Sequence, residues 1–120
     1  MENDKTNIGT PISADLFQDL CCRTIQQSLL PYQKEEHALC GMMSELGEVM
    51  SLYQHIYQGE MLDYDKLKDE LGDMLWFVCE LLTVNNIRLS EVMWRNVEKL
   101  KERYPDGFDA ERSVRRHDDE

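Results

Sequence analysis

Two acidic tetrapeptides stand out because each lies within an apolar segment that is predicted to be helical. The first is E-L-G-E, from Glu45 to Glu48, and the second is E-L-G-D, from Glu70 to Asp73. Residues three apart share one face of a helix, so each tetrapeptide presents two carboxylates side by side. Each also contains a glycine, which costs roughly 1 kcal/mol relative to alanine within a helix. Carboxylate oxygens with no cysteine beside them are the ligands that Mg²⁺ or Mn²⁺ prefers.

The elements that position these acids are predicted to be helices of one domain. Ser13 and Ser90 are suited to N-caps, Pro31 to a helix end, and Gly59 to a C-terminal signal. The chain of 120 residues is therefore predicted to contain one all-α domain, a four-to-five-helix bundle that spans 13–108. The predicted segments are a flexible arm at 1–12, four helices, and a charged tail at 109–120 that is extended or disordered. The helices are predicted at 14–30, at 35–57, from Asp63 or Asp65 to 84, and at 91–104.

The second and third predicted helices are joined by a short loop and should pack antiparallel. The two motifs then lie roughly 16 and 12 Å from the turn, at ~1.5 Å per residue, so four carboxylates face one another at one level. Such groups repel unless they face water or a cation lies between them. The third helix is apolar nearly all round, which predicts that Asp73 is shielded from solvent and favours the cation. Gly47 and Gly72 would allow helices or a ligand to approach closely.

Composition restricts the class of partner. Acidic residues number 24 and basic residues 13, and the net charge of -11 argues against nucleic-acid polymers and anionic membranes. A small phosphorylated ligand remains compatible, because a bound metal reverses the local charge. The first residues lack the apolar stretch of a signal peptide, and no apolar run is long enough to span a bilayer. The four cysteines have no C-x-x-C spacing, so they are predicted to be reduced core thiols of a cytoplasmic protein.

Other residues leave alternatives open. The polar residues Asn96, Lys99 and Arg103 share one face of the last predicted helix, which is either a solvated face or a phosphate contact. The aromatic residues Trp76, Phe77 and Trp94 are predicted to lie in the core rather than to stack on a base. No Glu-x-x-His occurs, which argues against a di-iron bundle.

Three segments, SELGEVMSLYQH, DELGDMLWFV and NVEKLKERYPDGFDAERS, resemble the MazG-type nucleotide pyrophosphohydrolases of the all-α NTP-pyrophosphatase superfamily. The resemblance covers roughly residues 35–113. Glu45 and Glu48 match the end of that family's E-E-x-x-E pattern, and Glu70 and Asp73 match its E-x-x-D pattern. Ser44 stands where the pattern has its first glutamate.

The resemblance implies hydrolysis of a (deoxy)nucleoside triphosphate to the monophosphate and pyrophosphate. It implies that the four matched acids are the catalytic residues and bind Mg²⁺, with Mn²⁺ as a substitute, and that the protein is a homodimer or homotetramer with composite sites. Residues implied to contact the base are His37, His55 and Phe77, and those implied to lie near the phosphates are Asn96, Lys99 and Arg103.

Two other interpretations share the same residues. The first keeps the metal site and changes the substrate to a phosphoribosyl-nucleotide. The second is a non-catalytic helical interaction module whose acids bind no metal.

Overall fold

The computed structural model describes residues 8–119, with side chains up to Arg115, and this range contains helices and no strand. The helices are α1 (Ala14–Cys22), α2 (Pro31–Tyr57), α3 (Tyr64–Val84), α4 (Leu89–Arg103) and α5 (Ala110–Asp119). The prediction of an all-α fold is confirmed. Most of the predicted arm at 1–12 lies outside the described residues, and the predicted domain bounds of 13–108 stay a prediction.

The two longest helices, α2 and α3, form an antiparallel hairpin that carries both acidic tetrapeptides. Gly59 follows α2 with a φ of 90°, a left-handed conformation that favours glycine. Asp63 then caps α3, because its Oδ1 accepts a hydrogen bond of 3.1 Å from the Lys66 N–H. α1 packs against α3, while α4 packs against α1 and α5.

The predicted end of the first helix is wrong, because Pro31 begins α2 rather than ending α1. Proline suits the first position of a helix, where its missing N–H needs no partner. The Leu30 N–H donates to Gln33 Oε1 at 2.8 Å and so completes this start. α1 ends at Cys22, where the Thr24 hydroxyl donates to the carbonyl of Cys21 at 3.0 Å.

Two predictions about the C-terminal region are also wrong. Ser90 lies inside α4 rather than capping it, and the Arg88 N–H donates to Glu91 Oε1 at 3.2 Å at the true start. The tail is not extended, since residues 110–119 form α5. The Glu111 N–H donates to Asp109 Oδ1 at 2.9 Å, so the aspartate satisfies a group that the first turn leaves unpaired.

The buried core is small and includes two of the four cysteines. Cys21 and Cys79 are buried, and burial raises the pKa of Cys79 to about 12, so this thiol stays protonated. All four thiols are unpaired, as predicted, but Cys40 is exposed and does not belong to the core. Among the described residues, no helix combines the length and apolar character needed to cross a membrane.

Several apolar side chains that were predicted to be buried are exposed in the single chain. Leu71 and Leu75 of α3 are 46% and 52% exposed, and Trp94 is 64% exposed. Asp73 is also exposed. The predictions of an all-round buried third helix and of a core Trp94 are therefore wrong for one chain. The reason is that α2 and α1 cover only part of α3, while α4 packs mainly through its contacts with α1 and α5.

Candidate metal centre

Three acidic side chains converge across the α2–α3 hairpin. α2 supplies Glu45, and α3 supplies Glu70 and Asp73. One carboxylate oxygen from each lies within 4.8 Å of the others. Glu45 and Glu70 are half-buried, whereas Asp73 is exposed, so the cluster opens to solvent on one side. The antiparallel hairpin thus brings the two tetrapeptides together at one level, as the helical spacing predicts.

Negative charge is crowded in this cluster, and this crowding affects the pKa of Glu45. The pKa of Glu45 is raised from 4.5 to about 7, first by a hydrogen bond with Glu70, then by burial and by the charges of its acidic neighbours. Glu45 Oε2 is buried and has no hydrogen-bond partner among the described residues. A buried oxygen that accepts no hydrogen bond is costly in free energy. A cation held between the carboxylates would remove the repulsion and would give Glu45 Oε2 a partner.

Glu48 lies near this cluster rather than inside it. It is exposed and does not belong to the group of oxygens within 4.8 Å. Its charge nevertheless contributes to the raised pKa of Glu45, which lies one helical turn away on the same face of α2. The structure therefore brings three of the four predicted ligands together and leaves Glu48 beside them.

The donor set fits a hard divalent cation. The cluster offers carboxylate oxygens and includes neither a thiol nor an imidazole. Mg²⁺ binds such oxygens and usually keeps several positions for water and phosphate oxygens, which the exposed side at Asp73 would admit. These residues are thus suited to Mg²⁺ or Mn²⁺ and offer no preference for a softer metal.

An aromatic group, formed by His37, Trp76 and Phe77, lies farther along the same hairpin. The ring centroid of His37 lies 5.5 Å from the ring centroid of Phe77 and 6.3 Å from that of Trp76, and both pairs are edge-to-face. Gly41 supports this packing, because a Cβ there would lie 2.2 Å from Phe77 Cε1. Gly41 was not among the predicted site residues, although its position four residues before Glu45 places it on the same face of α2.

Gly47 and Gly72 do not have the packing role that was predicted for them. A Cβ at either position would meet no atom within 4 Å, so neither glycine permits a close approach between helices of one chain. That part of the prediction is wrong. The alternative, that these glycines let a ligand approach closely, stays a prediction.

His55 is separated from the aromatic group within one chain. It lies near the C-terminal end of α2, where its Nδ1 is 3.2 Å from Glu60 Oε2. Eighteen residues separate it from His37, which corresponds to roughly 27 Å along the helix axis. One chain therefore brings His37 and Phe77 together, but it does not bring His55 to them.

The polar residues of α4 lie on a helix that is not part of the hairpin. Asn96 and Lys99 are exposed, and Arg103 is half-buried. In the part of the chain that the structure describes, α4 packs against α1 and α5 rather than along α2. A phosphate contact by these residues at the same chain's carboxylates stays a prediction.

Comparison with known proteins identifies a protein family that this all-α chain matches. The model of the MazG nucleotide pyrophosphohydrolase domain matches residues 27–108, a segment that contains all four motif acids. The chain therefore belongs to the MazG nucleotide pyrophosphohydrolase family. It is also similar to the Gene 37 protein of Mycobacterium phage L5, at 32% identity over 68 residues. That segment covers 52% of this chain and 60% of the phage protein. No solved structure matches the chain.

Proposed function

We propose that this protein hydrolyses a (deoxy)nucleoside triphosphate to the monophosphate and pyrophosphate, with Mg²⁺ bound by the acid cluster. The observation that carries the proposal is the convergence of Glu45, Glu70 and Asp73 within 4.8 Å on the hairpin of a MazG family member. The physiological role that fits this reaction is removal of surplus or unwanted nucleotides, in the cytoplasm.

The bond changes of the reaction are simple. A water oxygen attacks the α phosphorus, the bond from that phosphorus to the oxygen bridging to the β phosphorus breaks, and pyrophosphate leaves. The proton released by the water must pass to a base, and a carboxylate that is not used as a metal ligand is suited to accept it. When bound, Mg²⁺ supplies charge neutralisation for the phosphates and acidifies water.

The carboxylates themselves dictate that substrate binding depends on the cation. Without it, Glu45, Glu48, Glu70 and Asp73 would repel a triphosphate. The pKa of Glu45 is raised by its hydrogen bond with Glu70, by burial and then by the charges of Glu70, Asp73 and Glu48, so negative charge is already unfavourable at this position. With the cation bound, Glu45, Glu70 and Asp73 would hold it, and Glu48 would lie one turn away as a further ligand or as the base.

We also propose that the protein acts as a homodimer or homotetramer. α2 exposes an apolar stripe with the alternating three- and four-residue spacing of a helix-packing seam. Its members are Leu39, Met43, Leu46, Met50 and Tyr53, which are 43–71% exposed. Apolar patches of this kind mark interfaces, and a second copy has the matching stripe. A second copy would also supply His55, Asn96, Lys99 and Arg103 to a site that one chain leaves incomplete.

A screen for pyrophosphate release tests the activity. Each common NTP and dNTP is incubated with the protein and Mg²⁺, or with EDTA in place of the metal. At least one nucleotide should release pyrophosphate only with Mg²⁺. Asp73→Asn should lower this release by about two or more orders of magnitude, whereas Glu98→Gln, on exposed α4, should not lower it. Release that is equal in EDTA would contradict the proposal.

A further inference from the structure

Glu80 is a buried acid that the metal site does not use. It lies on α3, seven residues beyond Asp73, and its side chain is 0% exposed. Its Oε1 is 2.6 Å from His37 Nδ1, a contact that joins the two helices of the hairpin. Its Oε2 is buried with no hydrogen-bond partner among the described residues. Among the described residues, His37 is thus the only hydrogen-bond partner of this fully buried carboxyl group.

The burial of Glu80 restricts where the hydrogens of this pair reside. A buried carboxylate beside a neutral imidazole would leave an uncompensated charge, which is costly. Two arrangements carry no net charge. In the first, a carboxylate accepts from an imidazolium, in which both nitrogens carry hydrogen. In the second, a carboxylic acid donates to Nδ1 of a neutral imidazole, whose hydrogen is then on Nε2. Both arrangements make His37 Nε2 a hydrogen-bond donor.

The surroundings of His37 hold this donor in place. The ring is 46% exposed, so it reaches solvent while its Nδ1 side is tied to buried Glu80. Phe77 and Trp76 contact the ring edge-to-face. Among the described residues, His37 forms its side-chain hydrogen bond through Nδ1, and none pairs with Nε2. His37 lies eight residues from Glu45 on α2, which corresponds to roughly 12 Å along the axis. A ligand with its phosphates at the acid cluster would extend towards this ring.

We propose that Glu80 is a positioning residue, which fixes His37 so that its Nε2–H donates to an acceptor atom of the nucleobase, a keto oxygen or a ring nitrogen. The inference rests on the proposed function, since it assigns a base contact to the same site. Glu80 acts only through His37, because it is fully buried and does not reach the ligand. The side chain therefore affects substrate binding more than the bond-breaking step.

Nitrogen NMR of the imidazole rings tests the state of His37 without any substrate. The protein is labelled with ¹⁵N-histidine, and the signals are assigned by comparison with His37→Ala and His55→Ala. His37 Nε2 should carry hydrogen at neutral pH. A neutral ring with hydrogen on Nδ1 and an unprotonated Nε2 would overturn the proposal.

Kinetics of variants test whether Glu80 acts through His37. Glu80→Met has a similar volume but no donor or acceptor of comparable strength, so it should raise KM about tenfold, the equivalent of one lost hydrogen bond, with little change in kcat. Glu80→Gln should retain a KM near that of the wild type, because its amide donates to Nδ1 and keeps hydrogen on Nε2. The matched control Glu36→Gln removes an exposed acid beside His37 and should change nothing.

A double-mutant cycle separates positioning from a merely structural effect. In the His37→Ala background, Glu80→Met should add no further loss, since the residue through which it acts is gone. Thermal melts with Mg²⁺ check that each variant remains folded. Losses that add, or a Glu80→Met variant with an unchanged KM, would overturn the proposal. A wild type that turns over no nucleotide would instead contradict the proposed function, and the nitrogen signals would still decide the state of His37.

Discussion

Because the pKa of Glu45 is raised in the folded state, we expect the stability of the metal-free protein to depend on pH. An acid whose pKa is higher in the folded state binds its proton more tightly when folded, so its ionisation destabilises the fold. Below pH 4.5 the group is protonated in both states and contributes no penalty. As the pH rises from 4.5 through about 7, the free energy of unfolding should therefore fall. Glu45→Gln has no proton to lose at this position and should not show that part of the fall.

The size of the effect follows from the interval between the two pKa values. From 4.5 to about 7, at 1.36 kcal/mol for each pH unit, the penalty is at most about 3.4 kcal/mol. The cluster opens to solvent at Asp73, and screening by water and salt reduces the expected value to about 1–2 kcal/mol. Glu45→Gln should thus match the wild type at pH 4.5 and exceed its stability by about 1–2 kcal/mol at pH 8.

Urea unfolding in EDTA, from pH 4.5 to 8 at one fixed protein concentration, measures this difference. The fixed concentration matters because assembly also contributes to apparent stability. Glu98→Gln is the matched control: this exposed acid lies 3.6 Å from Lys101, outside the cluster, and its removal should preserve the wild-type pH dependence. Parallel curves for the wild type and Glu45→Gln would refute the argument that the carboxylates repel one another.

Three further predictions concern the same hairpin. Gly41→Ala should lower the free energy of unfolding by about 1–3 kcal/mol through overpacking against Phe77, whereas Gly47→Ala should raise it by about 1 kcal/mol. Urea unfolding compares the two variants, and a stabilised Gly41→Ala would contradict the placement of the Phe77 ring. Asp73→Asn should gain much less thermal stability from Mg²⁺ than the wild type and should lose about two or more orders of magnitude in turnover; a full gain with full activity would show that it is not a ligand. Light scattering at micromolar concentration should find a dimer or tetramer that Met43→Glu dissociates, and a wild-type monomer would contradict the proposed assembly.

The convergence of three acids across the hairpin was the part of the candidate site that the sequence predicted best. Spacing of three residues places Glu70 and Asp73 on one face of α3, and the short loop sets Glu45 at the same level. These relations depend only on helix geometry and chain length. Exposure of Asp73 depends instead on which other surfaces cover α3, and periodicity within one helix carries no such information. The resemblance to the family supplied the reaction, which helix geometry alone does not specify.

The remaining differences between the prediction and the structure involve residues whose sequence context fits two structural roles. Pro31 is compatible with the end of one helix and with the first turn of the next, and only the hydrogen bond from Leu30 to Gln33 decides between them. Glu80 interrupts the apolar run MLWFVCELL, which is a signal for a paired buried acid. Its partner, His37, lies far away in sequence, so the pair becomes visible only when the hairpin is formed.

The proposed function depends on attack by water at the α phosphorus of a nucleotide held at the acid cluster. Turnover in H₂¹⁸O with Mg²⁺ tests it most directly, with ³¹P NMR and mass spectrometry of both products. The products should be nucleoside monophosphate and pyrophosphate, with the heavy oxygen in the monophosphate. Heavy oxygen in pyrophosphate, or products consisting of a diphosphate and inorganic phosphate, would contradict it.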